Sequence, residues 1–112
     1  MASLEQYRQA VRQVLSQYGS YKPINADVDV QTIFDAEHDH YQIVSVGWQQ
    51  HRRVHSCSMH IDLKPDGKVW IQANNTEVQL ADELMALGVA REDIVLGFHS
   101  PAMRSFTEFA VG

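Results

Sequence analysis

The hydrophobic period changes early in this chain, and that change limits what it can fold into. Leu4, Tyr7, Val11, Val14, Leu15 and Tyr18 recur at steps of three and four, the spacing of one face of an α-helix. From residue 28 the step becomes two, with Val28, Val30 and Thr32 alternating with Asp29, Gln31 and Ile33. That is the period of a strand with two unlike faces. The first pattern predicts an amphipathic helix over 4–18. Ser3 and Gln6 stand at capping-box spacing, and Gly19 is a residue able to take the left-handed conformation that closes a helix.

The strand period then persists. A run over 28–35 meets the polar Asp35-Ala36-Glu37-His38-Asp39, short enough for a hairpin connection. The β-rich run 41–48 follows, then the polar turn 49–53. In a regular third strand His55, Cys57, Met59, Ile61 and Leu63 share one face, while Val54, Ser56, Ser58, His60 and Asp62 share the other. Lys64-Pro65-Asp66-Gly67-Lys68 has turn chemistry, and 69–73 returns as a fourth strand. Short connections make these four an antiparallel meander.

A second helix is expected from Thr76, with Leu80, Leu84 and Leu87 in register and Gly88 ending it. Ile94–Phe98 suits a short buried strand or a helix end, and Ser100-Pro101 starts a helical turn. The fold class is α+β: an N-terminal helix, a four-stranded antiparallel meander, a second helix and a mixed C-terminal segment packing on one sheet. A chain of 112 residues with 45% apolar content matches one domain, 1–112.

Nine Lys+Arg against fourteen Asp+Glu leave a net charge of −5. Proteins that coat nucleic acid draw their affinity from neutralising phosphates, so strong direct nucleic-acid binding is not expected. The lone Cys57 has no partner for an internal disulfide. No signal-peptide pattern opens the sequence, and no apolar run approaches the ~20 residues of a membrane span. A cytoplasmic location is the expectation.

Six histidines raise a metal hypothesis. His38, Asp39, His40, His60 and Asp62 would be the ligands of a small metal-dependent hydrolase, and Cys57 stands three residues before His60. In a regular strand, however, Cys57 and His60 point to opposite faces, and the paired Cys/His knuckles of a structural zinc site are missing. No metal and no cofactor are therefore expected. Gly-x-Ser-x-Gly elbows, phosphate loops and His-Glu-x-x-His helices are also lacking. Cys57, in line with Met59 and Ile61, reads as a buried small hydrophobe. Arg8 and Arg12 read as a solvated helix face. The candidate interface residues are Trp48, Trp70, Arg52, Arg53, Phe106 and Phe109. Phe106, Phe109 and Val111 crowd the last residues, so the C-terminus is expected to be docked, with a homodimer whose interface lies near it.

Several segments taken in order carry a resemblance. They are Phe34-Asp35-Ala36-Glu37-His38-Asp39-His40-Tyr41, Val46-Gly47-Trp48-Gln49, Arg52-Arg53-Val54 and His60-Ile61-Asp62. Lys68-Val69-Trp70-Ile71-Gln72, the run from Glu92 to Pro101 and the ending Thr107-Glu108-Phe109-Ala110-Val111-Gly112 complete the set. Together they resemble the XisI family, the fdxN element excision controlling factor proteins of cyanobacteria. Ala90 departs from the Pro expected before the Glu-Asp pair. The resemblance implies a non-enzymatic accessory factor for programmed site-specific excision of a DNA element during heterocyst differentiation. Its implied partners are a site-specific recombinase and an XisH-like companion protein. It carries no catalytic residues onto this chain. An alternative makes the protein a regulatory or inhibitor subunit of a nuclease-like XisH-type companion, and the metal-dependent hydrolase stands third.

Overall fold

The computed structural model describes residues 4–20 and 27–112. The helix α1 (Leu4–Gly19) is followed by the strands β1 (Asp27–Asp35), β2 (His40–Gln49), β3 (Arg52–Leu63) and β4 (Val69–Asn74). Then come α2 (Leu80–Ala86), a 3₁₀ turn over Arg91–Asp93, β5 (Ile94–Leu96) and α3 (Pro101–Arg104). The sheet has five strands in the order β1-β2-β3-β4-β5. The first four form the expected antiparallel meander. Ile94–Leu96 adds a fifth strand, parallel to β4, so the four-stranded expectation extends to a mixed five-stranded sheet. A parallel neighbour needs a crossover, and α2 lies in that connection.

The helices α1 and α2 cover one face. Tyr7, Ala10, Val11, Val14 and Leu15 of α1 bury against Tyr41, Ile43, Met59 and Ile61 of the sheet, joined by Leu80 and Leu84 of α2. Gly19 closes α1 without a left-handed turn. Its role is close approach, because a β-carbon there would sit 2.2 Å from Thr32 Cγ2. The Ser3 cap and the loop 21–26 lie outside the described residues.

The second helix starts at Leu80, four residues later than its sequence suggests. Thr76 is engaged instead in a turn: Asn74 Oδ1 accepts from Thr76 N at 3.1 Å, and Thr76 Oγ1 accepts from Val78 N at 3.1 Å. Asn74 Nδ2 donates back to Val78 O at 2.7 Å. Such side-chain bonds offer the backbone an alternative to helix. The far end behaves as expected. Gly88 takes φ +99°, and its N–H and that of Val89 bond Met85 O and Leu84 O, a Schellman closure.

Two irregularities re-aim the side chains of the sheet. Ile43 pairs with Met59 but Val44 with Cys57, leaving Ser58 as an extra residue in β3. His60 pairs with Ala73 but Ile61 with Ile71, leaving Gln72 extra in β4. A bulge of this kind switches the face of everything beyond it. Cys57 therefore leaves the core face and joins His60 on the outer one, which corrects both the buried reading of Cys57 and the opposite-faces reading of the pair.

The C-terminus docks in part. Ala110 bridges to Val95, and its N–H bonds Ile94 O at 2.8 Å. Phe109 packs on the core, whereas Phe106 is 83% exposed and Val111 59%. Of the three side chains expected to anchor this end, one does so.

Candidate functional site

The face of the sheet opposite α1 and α2 divides into two parts. Over β4 and β5 the chain covers itself. Trp70 stands there beside the fully buried Val95, with the Arg104 guanidinium 4.9 Å from the ring centroid and Lys64 Nζ 5.5 Å from it. Arg104 is fixed by its own bond to His99 O at 3.1 Å. Ser100 caps α3 by accepting from Met103 N, with Pro101 in the first turn as expected, and the chain runs on to the Ala110 bridge.

Over β1–β3 nothing within the described residues lies on the outer face. Its residues align in rows: Asp27–Trp48–Arg53, Asp29–Val46–His55, Gln31–Val44–Cys57, Ile33–Gln42–His60 and Asp35–His40–Asp62. The outer column of β1 is acidic at three of its five positions. The middle column, on β2, is apolar over Val44, Val46 and Trp48. The β3 column carries Arg53, His55 and His60. Trp48 is 48% exposed and Ile33 45%; the Arg53 guanidinium lies 5.3 Å from the Trp48 ring. Arg52 is exposed at the start of β3, opposite Gln49. Burial raises the pKa of the Cys57 thiol, so it is not an activated nucleophile.

Where the two parts meet lies the one buried carboxylate among the described residues, Asp62. His40 Nδ1 and His60 Nε2 each lie 2.8 Å from Asp62 Oδ1, and Gln72 Nε2 donates to Oδ2 at 3.1 Å. The bulge at Gln72 aims that amide, and the register of β2 on β3 aims His40. Burial pushes the pKa of Asp62 up, but the bonds from His40, His60 and Gln72 outweigh it, and the net shift is downward. Three ligand atoms of His40, His60 and Asp62 lie within 4.8 Å of one another, the spacing a divalent ion of the zinc type would need. Both imidazoles, however, are directed at the same oxygen, so the cluster acts as a carboxylate held by three hydrogen-bonding side chains.

The other two residues of the sequence's metal hypothesis go elsewhere. His38 bonds Asp35 across the β1–β2 turn. Asp39 faces the helix side, where Arg8 grips it with Nε at 2.8 Å and Nη2 at 3.0 Å, and the Tyr41 hydroxyl donates at 2.8 Å. Arg8 chiefly, with help from Tyr41, holds Asp39 below the usual carboxylate range. Tyr41, buried and bonded to a carboxylate, is pushed up to about 12. Arg8 is thus a tie between α1 and the hairpin rather than part of a solvated face. Phe109 sits 5.9 Å from the Arg91 guanidinium, which also bonds Glu108. The sequence names His40, His60 and Asp62 among its candidate ligands, and the structure brings these three together; reading regular strands misses Gln72 and the regrouping of Cys57 with His60, since both depend on bulges.

Comparison with known proteins places these observations in a lineage. The family described as XisI protein matches residues 1–111. A solved XisI-like protein from Anabaena variabilis is 44% identical, with a TM-score of 0.91 over 98% of this chain and 100% of that one. The solved fdxN element excision controlling factor XisI from the same organism is 30% identical, with a TM-score of 0.84 over 97% and 98% of the two chains. No curated protein matches the chain.

Proposed function

The chain belongs to the XisI family, and from that premise we propose that it is a non-catalytic controlling factor in the excision of a DNA element, working through protein contacts. The match over residues 1–111 and the likeness to an fdxN element excision controlling factor along the full chain carry this reading. The side-chain chemistry supports it. The ionisable groups that cluster are consumed in structural bonds, Asp39 by Arg8 and Tyr41 and Asp62 by His40, His60 and Gln72. The outer face instead offers Trp48, Val44 and Val46 between an acidic column on β1 and a polar one on β3 that carries Arg53, the composition of a protein-binding surface.

Its partners in this reading are a site-specific recombinase and an XisH-like companion, in the cytoplasm of a differentiating cell. Among the described residues no helix is long and apolar enough to cross a membrane. Direct DNA binding is expected to be weak, because the charge of −5 and the acidic β1 column repel phosphates. An excision reporter in cells with and without the gene tests the proposal, together with a pull-down of the tagged chain. Excision that depends on the chain, with recombinase or companion co-purifying, is the expected result. Unchanged excision in its absence would overturn it.

A further inference from the structure

We propose that the open face of β1–β3 is where two copies of this chain pack sheet on sheet, related by a two-fold axis running parallel to β2. The inference goes beyond the excision reading and does not depend on it.

Charge complementarity selects this arrangement. Two sheets that stack keep their strands roughly aligned at a spacing of ~10 Å. For a face meeting itself, the two-fold axis runs either along the strands or across them. An axis along β2 lays β1 of one copy over β3 of the other and preserves the rows. Asp27 then opposes Arg53, and Asp29 opposes His55, on both sides of the axis. The apolar column closes on itself, Val44, Val46 and Trp48 against their own counterparts. In the row nearest Asp62 two acids approach, but each already has its imidazole, Asp35 from His38 and Asp62 from His40 and His60. An axis across the strands would instead lay β1 on itself, with Asp27 over Asp35, while Arg53 would meet only Asp62, a carboxylate already held by His40, His60 and Gln72. Like-charge juxtaposition of that kind costs several kcal/mol.

The limits of the face agree with this partner. Among the described residues the chain's own C-terminal segment covers the outer face over β4 and β5, by way of Arg104 on Trp70, while the Ala110–Val95 bridge extends the sheet edge beyond β5. Among the described residues three strands are left open, and the axis on β2 centres the partner on those three. A nucleic acid is a poor occupant, since its phosphates would meet Asp27, Asp29 and Asp35.

The test is sedimentation of the full chain and of Asp27→Arg, Arg53→Asp and the double variant over a range of concentrations. The wild type should reach twice the 12.7 kDa of the chain. Each single reversal should weaken self-association about tenfold or more, and the double variant should recover most of that loss. Both positions are exposed, so the variants should fold, and thermal melting checks it. If either single variant does not fold, Val46→Asp, which sets two carboxylates against each other at the axis, replaces it and should abolish the dimer. A wild type that stays monomeric at ~100 μM would overturn the proposal, since that corresponds to less than ~5.5 kcal/mol of association. So would a double variant no better than the singles, or tighter association of Asp27→Arg.

Discussion

Trp70 and Trp48 stand on the same outer face of one sheet, each with a guanidinium over its ring, yet the chain treats them differently. Arg104 reaches Trp70 from the C-terminal segment, 34 positions further along, and brings α3 and the last residues down onto β4 and β5. Arg53 reaches Trp48 from the opposing position of the next strand, its Nη1 also donating to Gly47 O at 3.3 Å, and brings no further segment with it. A cation on an aromatic face is worth a similar modest amount at either place. What distinguishes the two is the chain that follows the cation. At Trp70 it adds the bridge at Ala110 and the packing of Phe109; at Trp48 it continues within the sheet as β3 and, among the described residues, lays nothing over the indole. The first tryptophan belongs to the fold, the second to the surface a partner would meet.

Substitution of each indole should separate these roles most sharply. Trp70→Ala removes the platform under Arg104 and leaves a gap beside Val95. A cost of about 2–3 kcal/mol is expected, somewhat below that of a fully buried Trp. Trp48→Ala should cost about 0.5 kcal/mol or less in a dilute monomer, as for exposed positions generally. Chemical denaturation at low protein concentration measures both. Equal losses would break the distinction.

Asp62 marks the seam between the two halves, and its removal ranks next. Replacing it by Ala leaves the partly buried His60 imidazole and Gln72 amide without their acceptor, while the exposed His40 turns to water, at a cost of about 1–2 kcal/mol. The pH dependence follows from the depressed folded pKa. The contribution of Asp62 is present above the unfolded value of ~3.9 and is lost as pH falls through the folded one. Asp62→Asn, which keeps an acceptor but no charge, should therefore flatten the acid limb of the stability curve below about pH 4. Asp39, lowered by Arg8, has the same sign, so Asp39→Asn should flatten the same limb independently. Urea titrations at a series of pH values would show it. An acid limb as steep in both variants as in the wild type would contradict the assignment.

How much of this was legible in the residues follows the same division. The period of α1, the turn at 64–68 and the cap at Ser100 depend on neighbours within a few positions, and the sequence displays them directly. Which face Cys57 takes does not depend on neighbours. A bulge at Ser58 changes no residue type and only shifts the pairing of β3 on β2. The late start of α2 escapes for a related reason. Leu80 and Leu84 set the period correctly, but Asn74 and Thr76 had already bound the backbone into a turn. Long-range ties such as Arg8 with Asp39, 31 positions apart, appear only once the sheet has brought the hairpin under the helix. The acidic and basic columns of the outer face were present as letters, but their opposition across rows needed the register.

The smallest expected effect concerns metal. Asp62, His40 and His60 have the residue types and the spacing that zinc accepts, so the same seam admits a rival explanation in which an ion holds the open half to the covered half. The bonding favours the metal-free account. Two imidazole N–H groups point at a single carboxylate oxygen, and Gln72 occupies the other. A zinc ion would need both facing nitrogens deprotonated and one carboxylate oxygen freed of its two bonds, exchanging existing interactions for new ones. Chelation should therefore leave the melting temperature within about 1 °C, well under the roughly 4–8 °C that 1 kcal/mol produces in a domain near this size. The protein as purified should carry far less than one equivalent of metal. One equivalent of zinc surviving dialysis, with a large fall in melting temperature under chelation that His60→Ala abolishes, would reassign the seam as a metal site.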